Sequence, residues 1–277
     1  MPRWLAVLSI ATPLALAACH TESGPRHVEP NAFAWSGAVA PESWVHIRNM
    51  SGHISVVAAD SPTVEVHASK SWRGRRDGSS VQFIQRETDD GVIICTIYGE
   101  HNSCTPDGYG SNGSTKSFNP FDLLRGSGHV EVDYVVRVPA GVKVDVSTIS
   151  GELGVADVTS EVKAETVNGK VRVATRNGPV TASSVNGSVM VAIDSLTTPG
   201  NIDISTVNGS VTAQLPAALQ GNVSLETVNG SATTDYSVTG NNSSSPKHLS
   251  GTIGTGGGGR MVKLETVNGS VKLLKGT

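Results

Sequence analysis

The sequence predicts an all-β chain folded as a single-domain parallel β-solenoid, or β-helix, with coils of about 18–22 residues and TVNG corners. The first of three observations behind that expectation is a repeat. Thr-Val-Asn-Gly stands at Thr166–Gly169, Thr206–Gly209, Thr227–Gly230 and Thr266–Gly269, with variants at Ser184–Gly187 and Thr148–Gly151 and a fainter copy at Leu249–Gly251. Their glycines, Gly151, Gly169, Gly187, Gly209, Gly230, Gly251 and Gly269, are 18, 18, 22, 21, 21 and 18 residues apart. The second observation is another glycine (Gly178, Gly200 or Gly221) nine residues before three of these. Each coil therefore reads strand, corner, strand, corner, with both corners at residues that tolerate positive φ. The third is alternation of apolar residues, as in Val262, Leu264, Thr266 and then Val271, Leu273. Period two marks a half-buried strand, and the change of parity after Thr266 requires a corner or bulge. No window holds a helical period.

Asn-Gly between short β runs also suits an antiparallel meander of hairpins. In a meander, however, successive motifs lie two strands apart and have no reason to be alike. In a parallel solenoid each motif sits on the next at about 4.8 Å, so like side chains can stack. The solenoid predicts a corner ladder of Asn168, Asn186, Asn208, Asn229 and Asn268 beside Gly169, Gly187, Gly209, Gly230 and Gly269, with the valines filling one core.

Residues 1–18 read as an export signal. Arg3 supplies the positive start, and the apolar run Trp4–Ala17, broken by Pro13, is too short for a transmembrane helix. Leu16-Ala17-Ala18-Cys19 resembles the lipobox of bacterial lipoproteins, which implies cleavage before Cys19 and lipid on its thiol. An ordinary secretory signal containing a cysteine is the alternative. His20, in place of Asp, favours the outer membrane over the inner by the same resemblance. With Cys19 lipidated, two of the three cysteines remain. Cys95 and Cys104 then form a structural disulfide, whose short loop suggests roughly 2–3 kcal/mol of stabilisation.

Residues 19–40, polar and carrying Pro25 and Pro30, read as a flexible tether, and residues 41–277 as the solenoid domain. Strands are expected at Trp44–Arg48, Ile54–Ala58, Val64–Ser69, Val81–Glu87 and Val92–Tyr98, with Asn49–Gly52 an early, degenerate corner. Residues 99–129 form a long insertion. Its apolar cluster of Phe118, Phe121, Leu123 and Leu124 is either a lid on the core or an exposed patch for a sugar or protein. Strand character returns at Val130–Val138, followed by a corner at Pro139-Ala140-Gly141. Residues 240–259, rich in Gly and Ser, are expected to be a loose loop between the last two coils.

Taken together, the lipoprotein-type start, the Cys95–Cys104 segment, Val-Pro-Ala-Gly-Val at Val138–Val142, the TVNG run and the block Gly251–Leu274 resemble the "putative adhesin" family. This is a group of β-solenoid domains of the bacterial envelope. The resemblance covers Trp44 to Leu274. It implies fold and location and carries over no catalytic residues.

Composition narrows the function. A formal net charge of −3, with no basic block beyond Arg73, Arg75 and Arg76, argues against nucleic acid as a partner. The eight histidines show no zinc spacing, and neither a G-x-S-x-G elbow nor a P-loop occurs, so no metal, cofactor or catalytic set is expected. Glu165, Glu226 and Glu265 each precede a TVNG motif and should share an outer face with Ser147, Ser183 and Ser205. Glu226 and Glu265 should be held apart by a coil around Leu249. Lys263, Lys272 and Lys275 would protect the last coil against edge pairing. The expected function is a non-catalytic, lipid-anchored envelope protein, with the membrane as one partner through Cys19 and a protein or glycan on the solenoid flank. A carbohydrate-active enzyme using Glu226 and Glu265 is the alternative, and an envelope-stress or signalling accessory a third.

Overall fold

A computed structural model describes residues 25–73, 78–98, 102–111, 130–240, 245–255 and 259–276. In chain order, β1 (Arg26–Gly37) precedes β2 (Trp44–Arg48), β3 (Ile54–Ala58) and β4 (Val64–Arg73). Hairpins follow at β5 (Val81–Thr88) with β6 (Gly91–Tyr98), and at β7 (Asn102–Thr105) with β8 (Gly108–Ser111). After β9 (Glu131–Val138) come the coils β10 (Lys143–Ser150) with β11 (Leu153–Val158), β12 (Val162–Asn168) with β13 (Val171–Thr175), and β14 (Val180–Asn186) with β15 (Val189–Ile193). Next are β16 (Ile202–Asn208) with β17 (Val211–Leu215), and β18 (Gly221–Asn229) with β19 (Ala232–Thr234). Short strands β20 (Val238–Thr239) and β21 (His248–Ile253) lead to the last coil, β22 (Met261–Asn268) with β23 (Val271–Lys275).

Each coil gives one strand to each of two facing sheets. Sheet I runs β1-β4-β9-β3-β11-β13-β15-β17-β23-β19, and sheet II runs β20-β21-β18-β22-β16-β14-β12-β10-β2-β6-β5. The coils pair in parallel and in register, Val162 with Val180 and Asn168 with Asn186, for example. Buried Val162, Ala164, Val171 and Val173 belong to one core shared by both sheets. The solenoid is therefore two-sided.

The parity change is the reason the corner sequence reads as it does. Val162, Ala164 and Thr166 face inward, Asn168 faces out, and Val171 faces inward again. The motif threonine, not its valine, is thus the buried residue. The expectation that these valines fill the core is overturned: Val185, Val207 and Val267 are each about 40% exposed and Val228 57%. A buried threonine needs a hydrogen-bond partner, and the neighbouring coil supplies it. Thr166 Oγ1 donates to the Gly151 carbonyl at 3.2 Å, Ser184 Oγ to Gly169 at 2.9 Å, and Thr206 Oγ1 to Gly187 at 2.7 Å. Outside this hydroxyl ladder runs the amide ladder. Asn186 Nδ2 donates to Asn168 Oδ1, and Asn208 Nδ2 to Asn186 Oδ1, both at 2.9 Å.

Glycine serves the two corners differently. At Gly178 (φ 106°) and Gly200 (φ 136°) the backbone is in the region that side chains disfavour. At the TVNG corner the constraint is space: a Cβ on Gly187 would lie 1.8 Å from the Gly169 carbonyl oxygen, and one on Gly209 2.2 Å from that of Gly187.

Three sequence expectations about organisation fail. Residues 26–37 are not tether but β1, antiparallel on β4. Phe33 and Trp35 pack on the core, and Phe33 stacks on Phe83 with ring centroids 5.0 Å apart. Pro30 sits at the β1 irregularity between Glu29 and Phe33, where a missing donor is tolerated. The Leu249 segment is not a coil: β21 runs antiparallel along the outer edge of β18, so residues 240–259 are in part strand. Finally, the stack does not follow sequence order. With one edge of β18 covered by β21, only its other edge is free, and β22 seats there, between β18 and β16. The Asn column accordingly runs 168, 186, 208, 268, 229.

The opposite end is arranged likewise. β6 and β9 form the outermost coil, β2 and β3 lie between it and β10 and β11, and antiparallel β5, β4 and β1 finish the edges. Of the expected insertion at 99–129, residues 102–111 are described and form the β7–β8 hairpin. Asn49–Gly52 is a true early corner, since a Cβ on Gly151 would meet the Gly52 carbonyl oxygen at 1.9 Å. Residues 1–18, Cys19, Arg75, Arg76 and the cluster Phe118, Phe121, Leu123 and Leu124 lie outside the described residues.

Candidate functional site

The outer face of sheet II carries the candidate surface. Because Val162, Ala164 and Thr166 point inward, Lys163, Glu165 and Val167 point outward, and the register repeats this choice in each coil. Ser147, Glu165, Ser183, Ser205, Glu265 and Glu226 consequently form one row across adjacent strands, ending at His248 of β21. Beside it runs the ridge of exposed valines, Val185, Val207, Val267 and Val228. From Ser183 to Glu226 the row, together with the ridge, lines a groove of about 580 Å³, which Lys247 and His248 at the start of β21 also line.

Glu226 and Glu265 are direct register partners, which corrects the expectation that a coil separates them. Glu165 stands apart, with β14 and β16 between it and β22. Each carboxylate of the close pair already has partners. Glu226 Oε1 accepts from Ser224 Oγ at 2.9 Å and lies 3.3 Å from His248 Nδ1. Glu265 Oε1 lies 2.8 Å from Lys263 Nζ, and that hydrogen bond holds the lysine pKa above its usual value. Among the described residues, no group of three or more His, Cys, Asp and Glu side chains is placed to hold a metal ion. What this face offers chemically is a periodic row of hydroxyls and carboxylates along an apolar ridge.

At the other end of the stack the same face is covered. Cys95 and Cys104 are joined by a disulfide, Cα atoms 6.5 Å apart, which straps the β7–β8 hairpin over β6. Cys95, Cys104, Ile93 and Ile97 make a small buried cluster of their own with Ile84 and Tyr109. Next to it lies a buried polar cluster that the sequence reading missed. Asp145 Oδ2 accepts from Arg48 Nη2 at 2.6 Å and lies 2.9 Å from His46 Nδ1, while His46 Nε2 faces Asp90 Oδ1 at 3.3 Å. Arg48 also donates to the Pro106 carbonyl of the hairpin turn, and Arg86 to the Cys104 carbonyl. Burial pushes the Asp145 carboxyl up, but hydrogen bonds from His46 and Arg48 outweigh it and hold the pKa below the ordinary range. The one signal in the sequence was polar residues at alternate positions of Trp44-Val45-His46-Ile47-Arg48, which places both on the outer face.

Among the described residues no helix is long and apolar enough to cross a membrane. No curated protein matches the chain. Solved structures with a similar path include a "putative cell adhesion protein" from Clostridium sporogenes ATCC 15579, with 12% identity, TM-score 0.46, and coverage of 91% of this chain and 100% of that one. A "putative adhesin" from Bacteroides fragilis NCTC 9343 has 9% identity and TM-score 0.31, covering 87% of this chain and 96% of that one. Another, from Parabacteroides distasonis ATCC 8503, has 10% identity and TM-score 0.30, covering 91% and 98%. The sequence pattern of the family described as Toastrack DUF4097 matches residues 45–274. That span runs from β2 into β23 and takes in the whole ladder of like corners, and the chain belongs to the Toastrack DUF4097 family.

Proposed function

We propose that the chain is a non-catalytic, lipid-anchored protein of the bacterial cell envelope that binds a protein or glycan along the open flank of sheet II. The observation that carries this reading is the periodicity of the groove. A ligand lying along the stack meets hydroxyl or carboxylate on one side and valine on the other at every strand spacing, roughly 4.8 Å. Such a surface suits an extended polymer better than a compact small molecule. The lipobox-like Leu16–Cys19 supports a lipid anchor, and His20 in place of Asp favours the outer membrane by the same resemblance.

Ser205→Arg would fill the groove from an outward position without touching the core. Immobilised protein screened against envelope glycans and proteins is expected to show saturable binding that this variant weakens at least tenfold. Inertness towards every ligand, or binding untouched by the substitution, would contradict the reading. Labelling with a radioactive fatty acid tests the anchor, and the label is expected to vanish in Cys19→Ala. The pairing of Glu226 with Glu265 supports one other reading, a carbohydrate-active enzyme. Under that reading, turnover of uronate polymers would be present and would be lost in E226Q/E265Q.

A further inference from the structure

The last coil in sequence order occupies a slot. β22 pairs in parallel with β16 on one side and β18 on the other, and β23 likewise with β17 and β19. Both walls bond the insert through the same groups. Asn268 Nδ2 donates to Asn208 Oδ1, and Asn268 Oδ1 accepts from Asn229 Nδ2, each at 2.8 Å. Thr266 Oγ1 donates to the Gly209 carbonyl, and the Gly269 carbonyl accepts from Thr227 Oγ1, again each at 2.8 Å. Wall and insert are even the same peptide: Leu225–Ser231 and Leu264–Ser270 both read LETVNGS.

The insert is a self-contained piece. Its apolar side chains Val262, Leu264, Val271 and Leu273 are fully buried, and they face the core that the walls also face. Seven residues, five of them glycine, separate β21 from β22. Seven residues can reach up to about 25 Å, whereas the crossing from β21 over β18 to β22 spans two strand spacings, roughly 10 Å. Arg260 latches the entry, donating to the carbonyls of Gly200, Leu196 and Thr198 at 2.5, 3.1 and 2.7 Å. That latch belongs to the insert and would travel with it.

We infer that the slot accepts the last coil of a second copy of this chain, so that two molecules can exchange β22 and β23. An exchanged pair re-forms each of the contacts above, because the incoming segment is chemically the one that left. Only the glycine-rich connection takes a new course. Exchange of an identical element is a low-cost route to a dimer, and crowding of copies on one surface would raise the effective concentration that drives it. The inference is independent of whether the flank of sheet II binds a partner.

Asp203 and Lys263 are register partners across the β16–β22 wall, and both point away from the core. Two variants of the full chain, Asp203→Cys and Lys263→Cys, each with Cys19→Ser, would be unfolded together and refolded under mild oxidation. The double variant Asp203→Cys/Lys263→Cys, which closes within one chain, sets the attainable yield. The expected result is a disulfide-linked heterodimer of the two single variants that grows with protein concentration. Thr181→Cys mixed with Lys263→Cys should give at least tenfold less, because β16 lies between those positions. Mixtures that stay monomeric at every concentration while the double variant closes would overturn the inference. So would equal cross-linking in the Thr181→Cys mixture.

Discussion

The repeat coils and the N-terminal cap are built from the same two sheets but are held together by different chemistry. From Lys143 onward the only aromatic residue is Tyr236. Stability there comes from one set of contacts copied at each level: β-branched core, threonine to glycine carbonyl, asparagine to asparagine. The cap relies on contacts made once. Phe33, Phe83 and Tyr134 pack ring on ring, Thr96 meets the Tyr134 hydroxyl at 2.5 Å in the core, and the Arg48–Asp145–His46 cluster and the disulfide pin a hairpin to the outer face. Repetition lets neighbouring coils share one solution. An end has no neighbour to share with, and must cover an open edge by individual means.

The comparison predicts where single changes hurt most. Asp145→Ala leaves Arg48 buried without its carboxylate, and the expected loss is roughly 3–5 kcal/mol by denaturant unfolding. A loss below about 1 kcal/mol would reduce the cluster to the status of a surface pair. Its pH dependence has a definite sign. The folded pKa of Asp145 is depressed, so its contribution is complete above the ordinary carboxylate value near 4 and is lost as pH falls through the folded value. The acid limb of the stability curve should flatten in Asp145→Ala.

Among the coils, Gly187→Ala is expected to cost about 3 kcal/mol, because its Cβ meets the Gly169 backbone and no flexible side chain can yield. Replacing Cys95 and Cys104 by serine should cost roughly 2–3 kcal/mol. The faster hydrogen exchange it causes should stay within β6 to β8; spread into β12–β17 would erase the distinction between cap and coils. Smallest is Thr206→Val, about 1 kcal/mol, which keeps the volume and removes one rung of the hydroxyl ladder.

What could be read in advance follows the same division. Local repetition is written in the sequence, so the two corners, the parity change and the Asn column were legible from TVNG and its spacing. The inward threonine was legible too, because the alternation Val262, Leu264, Thr266 turns it to the core, and the expectation of a core filled by the motif valines ran against that alternation. The cap was opaque for a physical reason. Arg48 and Asp145 are 97 residues apart, and nothing local in either segment names the other. Phe33 and Trp35 were visible as alternating aromatics within a polar stretch, but their pairing with β4 rests on a strand some 30 residues away. Order within the stack was hidden by the repeat itself, since identical coils fit one another in any sequence. Only the antiparallel β21 decides which edge of β18 remains open.

That order is the central claim, and cysteine trapping within one chain tests it. Thr212 and Lys272 are register partners on the outer face of sheet I, while Thr233 pairs with Lys272 from the other side. In the monomer, Thr212→Cys/Lys272→Cys should close a disulfide readily, and Thr212→Cys/Thr233→Cys, two strand spacings apart at roughly 10 Å, should not. Closure of the second pair with failure of the first would mean that the coils stack in sequence order, with no inserted coil between β17 and β19.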